Sequence, residues 1–187
     1  MAWELPIWMQ DQDYAARLDR GLVEAFGTEG VVYGVGNHLK VTERSAGPNF
    51  SVDIATGAGI VAGDDQANQG SYFVRNGGVI NVAVTSPDPS NPRIDAVVVQ
   101  VRDTQAGGEA GTVCEARVIA GGAAAVPSPP AIPATAMLLA YIAVPVGLSA
   151  VTNAKITDER VLARTTVTVS ATEPTDPIDG LIWFQPS

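Results

Sequence analysis

One cysteine and one histidine in 187 residues leave little room for most catalytic and cross-linking chemistry. Cys114 alone cannot close an intrachain disulfide, so no disulfide framework is expected. Within "TVCEARVIA" it reads as a small apolar residue on a strand. Hydrolytic triads, Cys–His dyads and zinc sites all draw on imidazole, and His38 falls in the alternating stretch "HLKVTE" on the side expected to face solvent. Basic residues are also scarce: 11 Lys and Arg against 20 Asp and Glu give a net charge of −9, which repels phosphate backbones and anionic headgroups. Nucleic acid is therefore not expected as a partner, and neither a metal nor a cofactor is expected. The N-terminal "MAWELPIWMQ" lacks the basic region and long apolar stretch of a signal peptide. No fixed repeat is visible, which argues against a solenoid or propeller.

Charge is wholly missing from "AIPATAMLLAYIAVPVGLSAV", Ala131 to Val151, a tract long enough to cross a bilayer. Pro133 and Pro145 would each remove a backbone donor from a spanning helix, and no basic or aromatic belt brackets the run. The tract is read instead as a buried strand beginning at Met137, with Pro145 at its end.

With 46% hydrophobic residues, the chain can bury a real core. Asp11 and Asp13 are placed to cap a helix whose apolar positions Tyr14, Leu18, Leu22, Ala25 and Phe26 recur at helical spacing up to Gly27. A lone helix of this kind must lie against something. From Val31 the period changes to two. Leu39 and Val41, then Phe50, Val52 and Ile54, alternate with polar residues, and "GIVAG", "SYFVRN", "VINVAVT", "RIDAVVVQVRD", "TVCEARVIA" and "MLLAYIAV" follow between turn-forming clusters. This predicts a mainly β fold, an antiparallel β-sandwich or barrel-like domain with one N-terminal amphipathic helix. "GGAAAVPSPPAIPATA" is expected to cross over the outside of the sheets, and "LIWF" to add a terminal strand. The organisation expected is a docking segment at 1–10, the helix and sandwich at 11–163, and a C-terminal extension at 164–187.

Candidate sites are few. The G-x-G-x-x-A spacing at Gly57, Gly59 and Ala62 resembles a dinucleotide fingerprint, but "IVAGDD" turns back where that motif needs a helix to open. The sequon at Asn49 abuts a strand and has no secretory context. Arg93 with Asp95, and Asp158 with Arg160, flank apolar strands and are expected to pair or to cap loop amides. Trp3, Trp8 and Trp183 lie near the termini, where an ordered indole has usually docked on a neighbouring subunit or on the chain's own core. Asp64, Asp65, Tyr72 and Phe73 are the alternative, a surface that could recognise a ligand such as a sugar. No enzymatic reaction is expected.

The helix leading into "GVVYGVGNHLKVT", then "VDIATGAGIVAGDD", "YFVRN", "NPRIDAVVVQVRD", "PPAIPATAMLLAYIAVP", "ITDER" and "EPTDPIDGLIWF" together resemble a family of tailed-bacteriophage minor tail and baseplate proteins, over about Tyr14 to Phe184. The resemblance implies a β-rich adaptor at the tail tip or upper baseplate of the virion, assembled in the host cytoplasm. It further implies a homo-oligomer, commonly a trimer, that binds other tail proteins and attaches fibres or receptor-binding modules. Such a protein inserts in no membrane, and a host glycan or receptor is its alternative ligand. Family members often continue into a further domain after the segment matching Pro177 to Trp183, whereas this sequence stops at Ser187.

Overall fold

The structure, a computed structural model, describes residues 16–32, 36–107 and 110–164, together with the backbone of two short strands beyond them. Helix α1 (Ala16–Phe26) is followed by β1 (Gly30–Val31), β2 (Val41–Glu43), β3 (Ser51–Ile54), β4 (Gly57–Ala62), β5 (Ser71–Asn76) and β6 (Ile80–Ala83). The chain continues through β7 (Arg93–Asp103), β8 (Thr112–Ile119), β9 (Ala136–Val144), β10 (Ile156–Asp158), β11 (Val167–Val169) and β12 (Ile182–Phe184). Three antiparallel sheets carry the body, with strand orders β1-β4-β5, β2-β3-β6 and β10-β9-β7-β8. This is the mainly β architecture that the period-two patterning predicts, with its helix at the N-terminal side. Within the terminal "LIWF", Ile182–Phe184 also form a strand, although β12 pairs with β11 in parallel rather than antiparallel.

The four-stranded sheet faces the other two, so that β8 approaches β6, β10 approaches β2, and β9 approaches β4. Apolar residues from all three sheets meet between the layers, among them Val52 and Ile54, Val61 and Val74, and Val97 and Leu139. On β7 the core side is Val97, Val99 and Val101, in strict alternation. On β9 the alternation breaks. Met137 and Leu139 face the core, and so do Ala140, Ile142 and Val144, because the pairing slips between Val97 and Val98. Val97 lies opposite Ala140 while Val98 lies opposite Leu138, which leaves Leu139 as the extra residue of a β-bulge. The opposite face is buried too: Ala96, Val98 and Ala136 pack with Ile119, Leu138, Tyr141 and Ile132, the last of these from the proline-rich crossover. A strand covered on both faces needs apolar residues throughout, which accounts for the missing charge between Ala131 and Val151. Among the described residues no helix is long and apolar enough to cross a membrane.

One expectation needs correction. His38 is not on a strand: Leu39 adopts φ 52°, and this left-handed turn delays the start of β2 to Val41 although Leu39 itself is buried. As expected, no helix opens at the G-x-G-x-x-A stretch, which is strand β4 over its whole length. The proposed caps Asp11 and Asp13, with Tyr14, lie outside the described residues. Helix α1 ends at Phe26, just before Gly27, but buries none of its residues completely. It rests on β5 through a polar contact. The Arg20 guanidinium donates to the Gln69 carbonyl at 2.7 Å and lies 5.0 Å from the centre of the Tyr72 ring. Gly70, at φ 75°, lets the helix come this close, since a Cβ there would stand 2.7 Å from the Arg20 backbone carbon.

Candidate functional site

Arg93 and Asp95, two residues apart on β7, point to the same side of the strand and form a forked pair. Arg93 Nε lies 2.8 Å from Asp95 Oδ1 and Nη2 lies 3.1 Å from Oδ2, with Arg93 at 6% exposure and Asp95 at 0%. The guanidinium also donates to the Ser86 carbonyl at 2.7 Å and to that of Thr85, while Asp95 accepts from the Gly121 amide at 3.0 Å. One ion pair thereby ties the β6–β7 connection to the crossover after β8. Asp158 and Arg160 repeat the plan at the end of β10. Their forked contacts are 2.8 and 2.7 Å, and Arg160 donates onward to the carbonyls of His38 and Gly36. The Asp158 side chain is 49% exposed, and the Arg160 hydrogen bond holds its carboxyl below the usual range.

Asp64 and Asp65 do not stand free in their loop. Asp64 accepts from the Thr135 amide, and Asp65 accepts from the Thr135 hydroxyl at 2.6 Å. Thr135 is buried and held at φ 49°, an outlying conformation for a β-branched residue, so the two acids fix the backbone where it enters β9. Gln69, also buried, joins them: its Oε1 accepts from the Asp65 amide at 2.8 Å, and its Nε2 donates to Tyr72 Oη at 3.1 Å. Tyr72 Oη donates in turn to Asp103 at 2.9 Å, and Arg20 Nη1 lies 3.6 Å from the same carboxylate. Burial is the main cause that raises the Tyr72 phenol above its ordinary pKa.

The four residues of the alternative ligand surface therefore do not make one surface. Tyr72 turns inward with Asp65, Gln69 and Asp103, while its neighbour Phe73 projects from the other face of β5 and is 52% exposed. Adjacent residues on a strand must diverge in this way. Phe73 stands between two concavities. One is an apolar groove of about 400 Å³ lined by Val23, Phe26, Val32, Ile60, Phe73 and Ala163, with Phe26 itself 67% exposed. The other is an open, more polar hollow of about 660 Å³ bordered by His38, Thr56, Phe73, Arg75 and Asn76.

The sequence reading missed this paired feature because Phe26 and Phe73 are brought together only by the packing of α1 on β5. The surplus of apolar positions on α1, too many for its polar seat on β5, was the available signal. Trp3 and Trp8 lie outside the described residues. Trp183 is on β12, where only the backbone is described. No protein family, curated protein or solved structure matches the chain.

Proposed function

We propose that this protein is a structural adaptor of a bacteriophage tail tip or baseplate, a homo-oligomer that attaches peripheral fibres or receptor-binding modules to the tail. The observation that carries the reading is the apolar groove between α1 and β5, flanked by exposed Phe26 and Phe73 on a body whose Asp64–Asp65 and Arg93–Asp95 clusters are spent on internal contacts. Contiguous exposed apolar surface of this kind marks an interaction face. The order of the segments that resemble minor tail proteins supports the virion assignment, and Trp3, Trp8 and Trp183 are the candidate docking residues.

The test is to express the labelled chain with its tail partners and locate it by electron microscopy. Density at the tail tip in several copies is expected, with reduced incorporation of the Trp3→Ala/Trp8→Ala variant. A chain that stays monomeric by light scattering and is missing from tails defeats the proposal. A receptor-binding module is the second reading, favoured by the polar hollow beside Phe73 and Arg75. Retention on a glycan array that disappears with Phe73→Ala would put it first.

A further inference from the structure

Among the described residues, β8 is the longest strand at the end of a sheet, and no described strand pairs with its other edge. It has no proline, lysine or bulge to guard that edge, and its two charges, Glu115 and Arg117, are of opposite sign. On the neighbouring β7, Val101 turns its amide to Thr135 on the β9 side, while Thr104 donates to Gly111 on the β8 side. Even-numbered β7 residues therefore bond to their β8 partners Val113, Glu115 and Arg117. The amides and carbonyls of Cys114, Ala116 and Val118 are left directed out of the sheet.

Side chains divide by the same alternation. Ala116 and Val118 pack into the core between the layers, whereas Ile119 packs on the opposite face. Glu115, Arg117 and the 37%-exposed Val113 share that outer face. Arg102 takes Glu115 Oε1 at 2.7 Å and Gln100 takes Arg117 Nη1 at 2.8 Å, and a carboxylate or guanidinium bound at one atom can still bond at others. On the inner side, a small apolar slot of about 90 Å³ opens between the β8 and β6 edges, beside Cys114, Ala116 and Ile80.

A second copy of β8 can run antiparallel to the first across a two-fold axis normal to the sheet. Each face then stays on its own side only in registers that pair residues of the same parity. Centred on Glu115 or on Arg117, the pair sets like charges opposite each other. Centred on Ala116, it sets Glu115 against Arg117 of the second copy, twice over by symmetry. These are non-hydrogen-bonded positions, where cross-strand side chains come closest. The same register covers Val113 with Ile119 of the second copy, sets Cys114 opposite Val118, and lets the outward amides and carbonyls bond to one another.

We infer that this chain associates with a second copy of itself through the β8 edge, antiparallel and centred on Ala116, joining two four-stranded sheets into one. Such a pair closes at two copies, unlike the trimer that the family resemblance implies. It does not rest on the virion reading: the pair forms in the isolated protein, whereas location in tails decides the other, so either can fail alone.

Sedimentation of the full-length protein should show a dimer. Glu115→Arg and Arg117→Glu each turn both cross-copy pairs into like charges and should weaken dimerisation by about tenfold or more, with circular dichroism unchanged. Mixing the two variants sets opposite charges against each other again at both places. A heterodimer should therefore form at a concentration where neither variant associates alone. Independently, Val118→Cys oxidised with diamide should link to Cys114 of the second copy and run as a covalent dimer on a non-reducing gel. The parent, whose Cys114 residues lie out of register with each other, should not. A monomeric or trimeric parent, single variants that dimerise as the parent does, or a mixture that stays monomeric would each overturn the inference. So would Val118→Cys chains that stay unlinked, or ready linkage of the parent through Cys114.

Discussion

Removing Asp95 tests how much of this fold hangs on one buried ion pair. The carboxylate is fully buried, and it accepts from Arg93 and from the Gly121 amide. Asp95→Ala would leave an uncompensated guanidinium at 6% exposure and an amide without its acceptor. Breaking a buried pair from one side typically costs about 3–5 kcal/mol, a large part of the roughly 5–15 kcal/mol that holds a domain folded. Asp158→Ala removes a carboxylate of similar geometry whose side chain is 49% exposed; its Arg160 partner is at 2% exposure but keeps the His38 and Gly36 carbonyls, so the expected cost is about 1–3 kcal/mol, below that of Asp95→Ala. Urea unfolding at pH 7 compares the two, with the slope checked so that midpoints convert to free energies. A double-mutant cycle with Arg93→Met should return a coupling of about 1–3 kcal/mol, because Arg93 keeps the Thr85 and Ser86 carbonyls when Asp95 is lost. If Asp95→Ala costs no more than Asp158→Ala, the assignment of carboxylate burial as the deciding quantity is wrong.

Leu139→Ala, at the bulge and fully buried, should cost about 2–5 kcal/mol by calorimetry or urea, whereas exposed Val126→Ala should stay within about 0.5 kcal/mol. Tyr72→Phe removes the donor to Asp103 and should cost about 1–2 kcal/mol, measured the same way. Asp53 is depressed by the Ser45 amide first, then by Asn81 and the Ser45 hydroxyl. A lowered folded pKa gives stability that is present above the unfolded value near 4 and lost as pH falls through the folded one, so Asp53→Asn should flatten urea midpoints in that acid window. Glu29 has the opposite sign: burial raises its pKa despite the Ala62 amide, so its ionisation costs stability as pH rises past about 4.5. Glu29→Gln should therefore flatten the midpoints above that pH.

Strands were legible in the sequence wherever one periodicity held. In "RIDAVVVQVRD" the residues before and after β7 mark its ends, and Arg93 and Asp95 share a face because their spacing is two. "HLKVTE" misled because a left-handed residue at Leu39 leaves no trace in hydropathy: the apolar alternation of Leu39 and Val41 is real, yet only Val41 begins the strand. "MLLAYIAV" was legible as buried but not as bulged, since Leu139 and Ala140 are both apolar and either phase satisfies the pattern. The site was less visible still. Asp64 and Asp65 read as solvated loop acids because their partner, Thr135, is remote in sequence and its positive φ creates the demand they meet. Phe26 and Phe73 belong to different elements, and only the short polar seat of Arg20 on Gln69 and Tyr72 sets the helix so that a groove remains.

That polar seat bears on why the groove exists at all. Helix α1 has apolar residues enough to bury a face, yet Leu18, Leu22 and Val23 are only half-covered and Phe26 is mostly bare. Arg20 reaches Gln69 and Asp103 because Gly70 has no side chain, and this anchor fixes the helix over the inward network of β5. A helix pinned by its polar residue cannot also turn its apolar stripe fully onto the sheet, since the two lie at different angles around the axis. The uncovered stripe is thus a consequence of the anchor. Replacing Arg20 with leucine should release the helix to rotate, cover Phe26 and diminish the groove, which hydrogen exchange and dye binding at the α1–β5 face can follow. If Phe26 remains as exposed without the anchor as with it, the groove has another origin.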